Sequence, residues 1–257
     1  MFLWSVFAAF TENLIPLGSF ENVANSFKPI EETKIMRLKA DSLDLPGWKV
    51  LGKEVPAVLW MENSPKINPL EKTAQWKTPH GSMFVDLSGD STSPSKEVTG
   101  IAKRAFGGLE LQRPIATKPN QLYQLSFELG TFEDDPVEKT MCGPTGVVAL
   151  IESGTAKYSR GFVHPRKPGE AMFWTRHESV FRAGPGPQTS LTIWAIDMHN
   201  ERTAAGAVEA SSLIAIDDVG IRKMTILGRT LELISRVLEH LRLIKTPRQF
   251  DPQRPSP

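Results

Sequence analysis

The sequence holds a single cysteine, Cys142, in 257 residues. That excludes an intrachain disulfide framework and a thiol-rich zinc site, and leaves Cys142 as a small buried or loop residue. An excess of one charge is lacking too. The formal net charge of +1 gives no ground for a nucleic-acid partner or a strongly acidic one. No apolar run is long enough to span a bilayer. The N-terminal segment Met1 to Phe10 is apolar but short. With Ala8 and Ala9 it has the form of the end of a secretory signal, yet it lacks the basic start such a signal needs; a hydrophobic strand or a misplaced start fits equally. A secreted or cell-envelope location is the expectation, on an incomplete signal and with a cytoplasmic one left open. Catalytic signatures are missing as well: no Gly-x-Ser-x-Gly elbow, no His-Glu-x-x-His and no Gly-rich phosphate loop. The histidines (His80, His164, His177, His199, His240) are scattered, so a metal cluster has no support and the chain reads as a non-enzyme.

What is present is proline, 20 residues or about 8 % against a usual ~5 %. Proline in turns between β-branched and aromatic runs favours strands. About ten short strands can be marked, among them 55–61, 83–87, 109–115, 146–151, 156–163, 171–181 and 189–198. The clearest is Leu122 to Leu129, where Tyr123, Leu125, Phe127 and Leu129 alternate with Gln124, Ser126 and Glu128. That alternation predicts a sheet with one wet face. Residues 22–45 show no period and read as an insertion with one helical turn around Glu31 to Leu38. Gly184-Pro185-Gly186-Pro187 is a hairpin or corner signal. The fold class expected is therefore all-β, a β-sandwich or jelly roll. After Met224 the period changes. Leu227, Leu231, Ile234, Leu238 and Leu241 make one apolar helical seam, which either lies back on the sandwich or meets a partner or a second copy. The domain reading is an apolar segment at 1–12, a sandwich at 13–224, an added C-terminal amphipathic helix at 225–245 and a disordered tail at 246–257.

One stretch breaks the strand pattern. In Ile214-Ala215-Ile216-Asp217-Asp218-Val219-Gly220-Ile221, Ile214 and Ile216 share one side of an extended chain and Val219 and Ile221 the other. A bulge at the Asp pair would restore a single buried face, though a strand covered on both faces fits too. Two carboxylates at a kink suit a hard-cation site or a capped, hydrogen-bonded turn.

Several segments in order resemble a known group: Asn13-Leu14-Ile15 with Gly18-Ser19-Phe20-Glu21, then Leu45-Pro46-Gly47-Trp48, His80 to Gly89, Leu111 to Leu129, Trp174 to Phe181 and Ile216-Asp217-Asp218-Val219. Together these resemble the cell-wall proteins of domain of unknown function family 642 and the bacterial jelly-roll modules of carbohydrate-binding families 4 and 22. The resemblance covers about Asn13 to Ile221. It implies a galactose-binding-like jelly-roll sandwich that binds wall polysaccharide without catalysis. It also implies a structural calcium ion where the first strand meets the last. The matching side chains are Glu21 and one of Asp217 or Asp218, helped by backbone carbonyls. The chain departs from the pattern in lacking paired cysteines, in the insertion at 22–44 and in the helix after Met224.

Sugar binding needs exposed aromatic faces and a few polar partners. Trp60, Trp76 and Trp174, near loops or strand ends, are the expected platforms, with His80 lining a cleft. Trp48 and Trp194 fall inside strand patterns and are expected in the core. A protein-interaction module that associates through the C-terminal helix is the alternative. A glycosidase using Glu128, Glu110 and Asp86 is a third and weaker reading, since hydrolysis needs two carboxylates facing across a cleft.

Overall fold

The computed structural model describes residues 10–21, 35–53, 57–61, 78–88, 107–131, 145–164, 173–197 and 214–225. The expected C-terminal helix and tail, Trp76, Cys142 and most of the N-terminal segment lie outside them. The described chain is all strand: β1 (Phe10–Asn13), β2 (Ile35–Leu38), β3 (Trp48–Leu51), β4 (Ala57–Met61), β5 (Met83–Asp86), β6 (Gly108–Leu111), β7 (Ile115–Ala116), β8 (Leu122–Thr131), β9 (Thr145–Ser153), β10 (Ala156–Val163), β11 (Phe173–Arg182), β12 (Gln188–Asp197) and β13 (Ala215–Met224). Among the described residues no helix is long and apolar enough to cross a membrane.

The strands form two antiparallel sheets. Sheet I has seven strands in the order β11-β8-β13-β5-β4-β2, with β1 pairing β13. Sheet II has six in the order β10-β9-β12-β6-β3, with β7 pairing β12. The core lies between them. Sheet I contributes Leu59, Val85, Tyr123, Leu125, Phe127, Leu129, Ile216, Val219 and Ile221; sheet II contributes Trp48, Val50, Leu109, Val147, Ala149, Ile151, Leu191 and Ile193. The period-2 alternation puts these residues on one face of each strand, and their burial is the main stabilising term. On one flank the sandwich is closed by its two edge strands, β10 and β11. Tyr158 lies by Phe181, the Arg160 guanidinium donates to Ser179 Oγ, and Phe162 meets His177 edge to face.

Three expectations need correcting. Ile35 to Leu38 is strand β2, paired with β4 from Ile35↔Trp60 to Leu38↔Ala57, not a helical turn; its alternating Met36 and Leu38 enter the core. The outward face of β8 is not wet. Ser126 is 2 % exposed and Gln124 and Glu128 are 9 %, because side chains from β11 lie over them. Trp48 is in the core as expected, but Trp194 is not: it is 38 % exposed on the outside of sheet II.

Candidate functional site

The N-terminal segment is tied to the last strand. Asn13 Oδ1 accepts from the backbone N–H of both Ile15 and Ile221, and Leu14 N–H donates to the Ile221 carbonyl. Val219 N–H donates to the Gly18 carbonyl at 3.0 Å. The approach at Gly18 is so close that a Cβ there would sit 1.7 Å from the Val219 oxygen, so only glycine fits.

β13 carries the bulge that the apolar phase predicts. Asp217 pairs with Glu128 and Gly220 with Ser126, three steps on β13 against two on β8. One extra residue is absorbed, and Ile214, Ile216, Val219 and Ile221 all reach the same core. Asp218 takes the left-handed turn, with φ 45°, a conformation Asp tolerates better than most residues. Its N–H donates to Asp217 Oδ1 at 2.7 Å.

The bulge sends its two carboxylates to different surroundings. Asp217 is fully buried, and its Oδ2 has no hydrogen-bond partner. Burial pushes its carboxyl up to about 8; the charges of Asp218 and Glu21 push the same way, against the backbone N–H groups of Asp218 and His80. Glu21 is held by the turn before β5. Its Oε1 accepts from the N–H of Ser82 and Met83 at 2.7 and 2.8 Å, and its Oε2 from Ser82 Oγ. Gly81, at φ +68°, leaves room for that carboxylate, which a Cβ would strike at 2.3 Å. A buried carboxylate oxygen without a donor, in the field of a second carboxylate, fits a hard cation. Among the described residues no third His, Cys, Asp or Glu joins them. The remaining ligands would be backbone carbonyls and water.

Asp218 turns to the outer face of sheet I. Its Oδ2 accepts from Arg176 Nη1 at 2.6 Å, which also reaches Glu128 Oε1 at 3.3 Å. Arg176 Nη2 donates to Ser126 Oγ, and Nε lies 3.6 Å from Glu178. His80 Nε2 stands 3.6 Å from Asp218 and 3.8 Å from Glu128. Desolvation works against the Arg176 charge, but the Asp218 and Glu128 carboxylates outweigh it and raise its pKa. Beside this network Trp174 packs edge to face on the buried Phe84 at 5.6 Å and covers Gly130. Arg176 is consumed by the chain's own carboxylates, and Trp174 by Phe84 and Gly130. Trp60 pairs with Phe84 in the ladder; its side chain lies outside what is described.

Sheet II presents an outer face of a different kind. On β12, Gln188, Ser190, Thr192 and Trp194 point outward while Leu191 and Ile193 point in. Trp194 lies opposite Gly108 of β6. Its indole rests on that glycine, where a Cβ would come within 2.9 Å of the ring. The indole therefore covers the glycine and leaves part of its surface to solvent. Next to it the ladder places Lys49, Glu110 and Thr192 in one row.

No protein-family model matches the chain, and no curated protein does. The resemblance to family 642 thus has no family-model match behind it. Solved structures are similar to it. The carbohydrate-binding module TmCBM61, in complex with beta-1,4-galactotriose, is 13 % identical over 82 % of this chain and 98 % of that one, with a TM-score of 0.43. The CBM22-1 xylan-binding domain from Paenibacillus barcinonensis Xyn10C is 10 % identical over 74 % and 93 %, at 0.37. The enzymatically active domain of bacteriophage CBA120 tailspike protein 4 is 13 % identical over 82 % of this chain but only 21 % of its own, at 0.43.

Of the expected residues, then, the charge of Glu21 reaches Asp217, Asp218 and His80 share the Arg176 network, and Trp174 stands beside it. The three strand carboxylates do not converge. Glu110 faces outward from sheet II, whereas Glu128 and Asp86 belong to sheet I, where Asp86 Oδ1 accepts from Ser88 N–H and Oγ. Trp194 is the residue the apolar run concealed. Its phase with Ser190 and Thr192 was the available signal.

Proposed function

We propose that the chain is a non-catalytic carbohydrate-binding module of the galactose-binding-like jelly-roll kind, for cell-wall or extracellular polysaccharide. One observation carries the reading: the open Trp194 indole over Gly108 on the outer face of sheet II. A pyranose stacks its C–H face on such a ring, and amide, hydroxyl and carboxylate side chains alongside meet its hydroxyls. Glu110 and Thr192 supply a carboxylate and a hydroxyl in the neighbouring row, with Lys49, paired to Asp41 at 2.9 Å, beside them. We read the surface as one that holds a glycan rather than cuts it. The residues expected from the resemblance take supporting parts. Trp174 and His80 stiffen the outer face of sheet I, and a calcium ion at Glu21 and Asp217 would join the first strand to the last, supplying the positive charge that Asp217 lacks.

Affinity electrophoresis in gels cast with xylan, β-glucan or galactan tests the reading. Retardation by at least one polymer, lost in Trp194→Ala at unchanged melting temperature, is the expected outcome. Migration unaffected by every polymer would sink it. For the ion, a chelator should lower the melting temperature and calcium should restore it. An unchanged transition would remove the calcium from the proposal.

A further inference from the structure

Apart from its exposed tryptophan, sheet II carries a second feature on the same face. A cavity of about 340 Å³ is lined by Pro114, Glu152, Gly154, Gly186, Gln188 and Ser190, among others. The ladder fixes its position. Ser190 pairs with Glu152, and Trp194 with Val148, along the same two strands. Gln188, Ser190, Thr192 and Trp194 all point to one side of β12. The cavity and the indole are therefore two ends of one line of outward side chains. At the ~3.4 Å rise of an antiparallel strand, Gln188 and Trp194 stand about 20 Å apart.

We propose that this line is a single extended binding track, and that the cavity receives one sugar unit of an oligosaccharide whose other end stacks on Trp194. The proposal rests on the carbohydrate-binding reading and adds to it the footprint, several consecutive units engaged along β12 rather than one unit at Trp194. The cavity has the chemistry of a hydroxyl-recognising pocket. Gln188 offers an amide, Ser190 a hydroxyl and Glu152 a carboxylate, the last steadied by Lys157 at 2.5 Å. Its volume is at the low end of the small-ligand range, and it is a shallow depression open to solvent. The wall is made by two glycines in close approach. A Cβ on Gly154, at φ +60°, would meet the Gly186 nitrogen at 2.8 Å, so a larger residue there would close the space or part the two corners. Between the two ends Thr192 keeps the track polar and low.

Calorimetric titration of the full chain with di- and hexasaccharides of β-1,4-linked glucose, xylose and galactose tests it. For the series that binds, the hexasaccharide should bind at least tenfold tighter than the disaccharide. Gln188→Ala with Ser190→Ala should bring the hexasaccharide down to the disaccharide's affinity and leave the disaccharide unchanged. Trp194→Ala should abolish both. Equal affinity for the two lengths, or a double variant that keeps the length preference, would overturn the track while leaving the carbohydrate-binding reading in place. No binding by any series, together with no retardation in the polymer gels, would overturn both.

Discussion

At the scale of single residues, the buried Asp217 and the half-buried His177 pull stability in opposite directions. Asp217 has a folded-state pKa of about 8, above its ordinary 3.8. Its acid form is favoured by folding, so that contribution is complete below about pH 4 and is lost as the pH rises toward 8. His177, whose ring packs against both Phe127 and Phe162, is lowered from 6.5 by burial. Its contribution is present above 6.5 and is lost as the pH falls through the lowered value. In chelator, melting temperature should therefore decline between pH 6.5 and 8, and Asp217→Asn should flatten that decline. A wild-type curve that stays level over this range would contradict the assignment. Saturating calcium should reverse the slope, because the ion competes with the proton for Asp217. Asn13 offers a simpler measurement. Its Oδ1 takes two backbone N–H groups, so Asn13→Ala should cost about 1–3 kcal/mol in urea unfolding. An effect within error would mean that water replaces it.

At the scale of elements, the bulge on β13 does most to organise its surroundings. It was legible because the apolar phase of Ile214, Ile216, Val219 and Ile221 cannot be buried on one side without an extra residue. What no spacing could reveal was the separate fate of the two carboxylates, since the partners of Asp218, Arg176 of β11 and His80 of the turn before β5, lie far away in sequence. The same limit hid the covered state of β8. Its alternation was plain, but the Arg176 and Glu178 side chains that lie over Ser126 and Gln124 become neighbours only through the β11–β8 ladder. Arg176→Ala should leave Glu128 and Asp218 half-buried without their cation and cost about 1–3 kcal/mol, with glycan binding unchanged if sheet II is the binding face. Gly18→Ala drives a methyl into the Val219 carbonyl. Backbone meets backbone there and neither yields, so a loss of about 3 kcal/mol is expected, read as a lower urea midpoint at constant slope. A neutral result would mean that the N-terminal segment can lift away from β13 without cost.

At the scale of the whole molecule, the antiparallel two-sheet sandwich could be inferred from turn chemistry and alternation alone, because both are local. Which sheet each strand joins could not, and the inward placement expected of Trp194 came from this: an apolar run reads as buried until its neighbour is known to be a glycine. One feature of the layout bears on how the chain is made. β13 is not a margin of sheet I but its middle, between β8 on one side and β5 on the other, and the residues it bonds at Asn13 lie 208 positions earlier. Closing so long a loop costs entropy before any contact repays it. On the ribosome, β11 and β8 would therefore form one ribbon and β5, β4 and β2 another, each with an open hydrogen-bonding edge toward the gap, until the last strand emerges. A chain stopped before residue 214 would lose the seam that makes two half-sheets into one, and those edges would be free to pair with other chains.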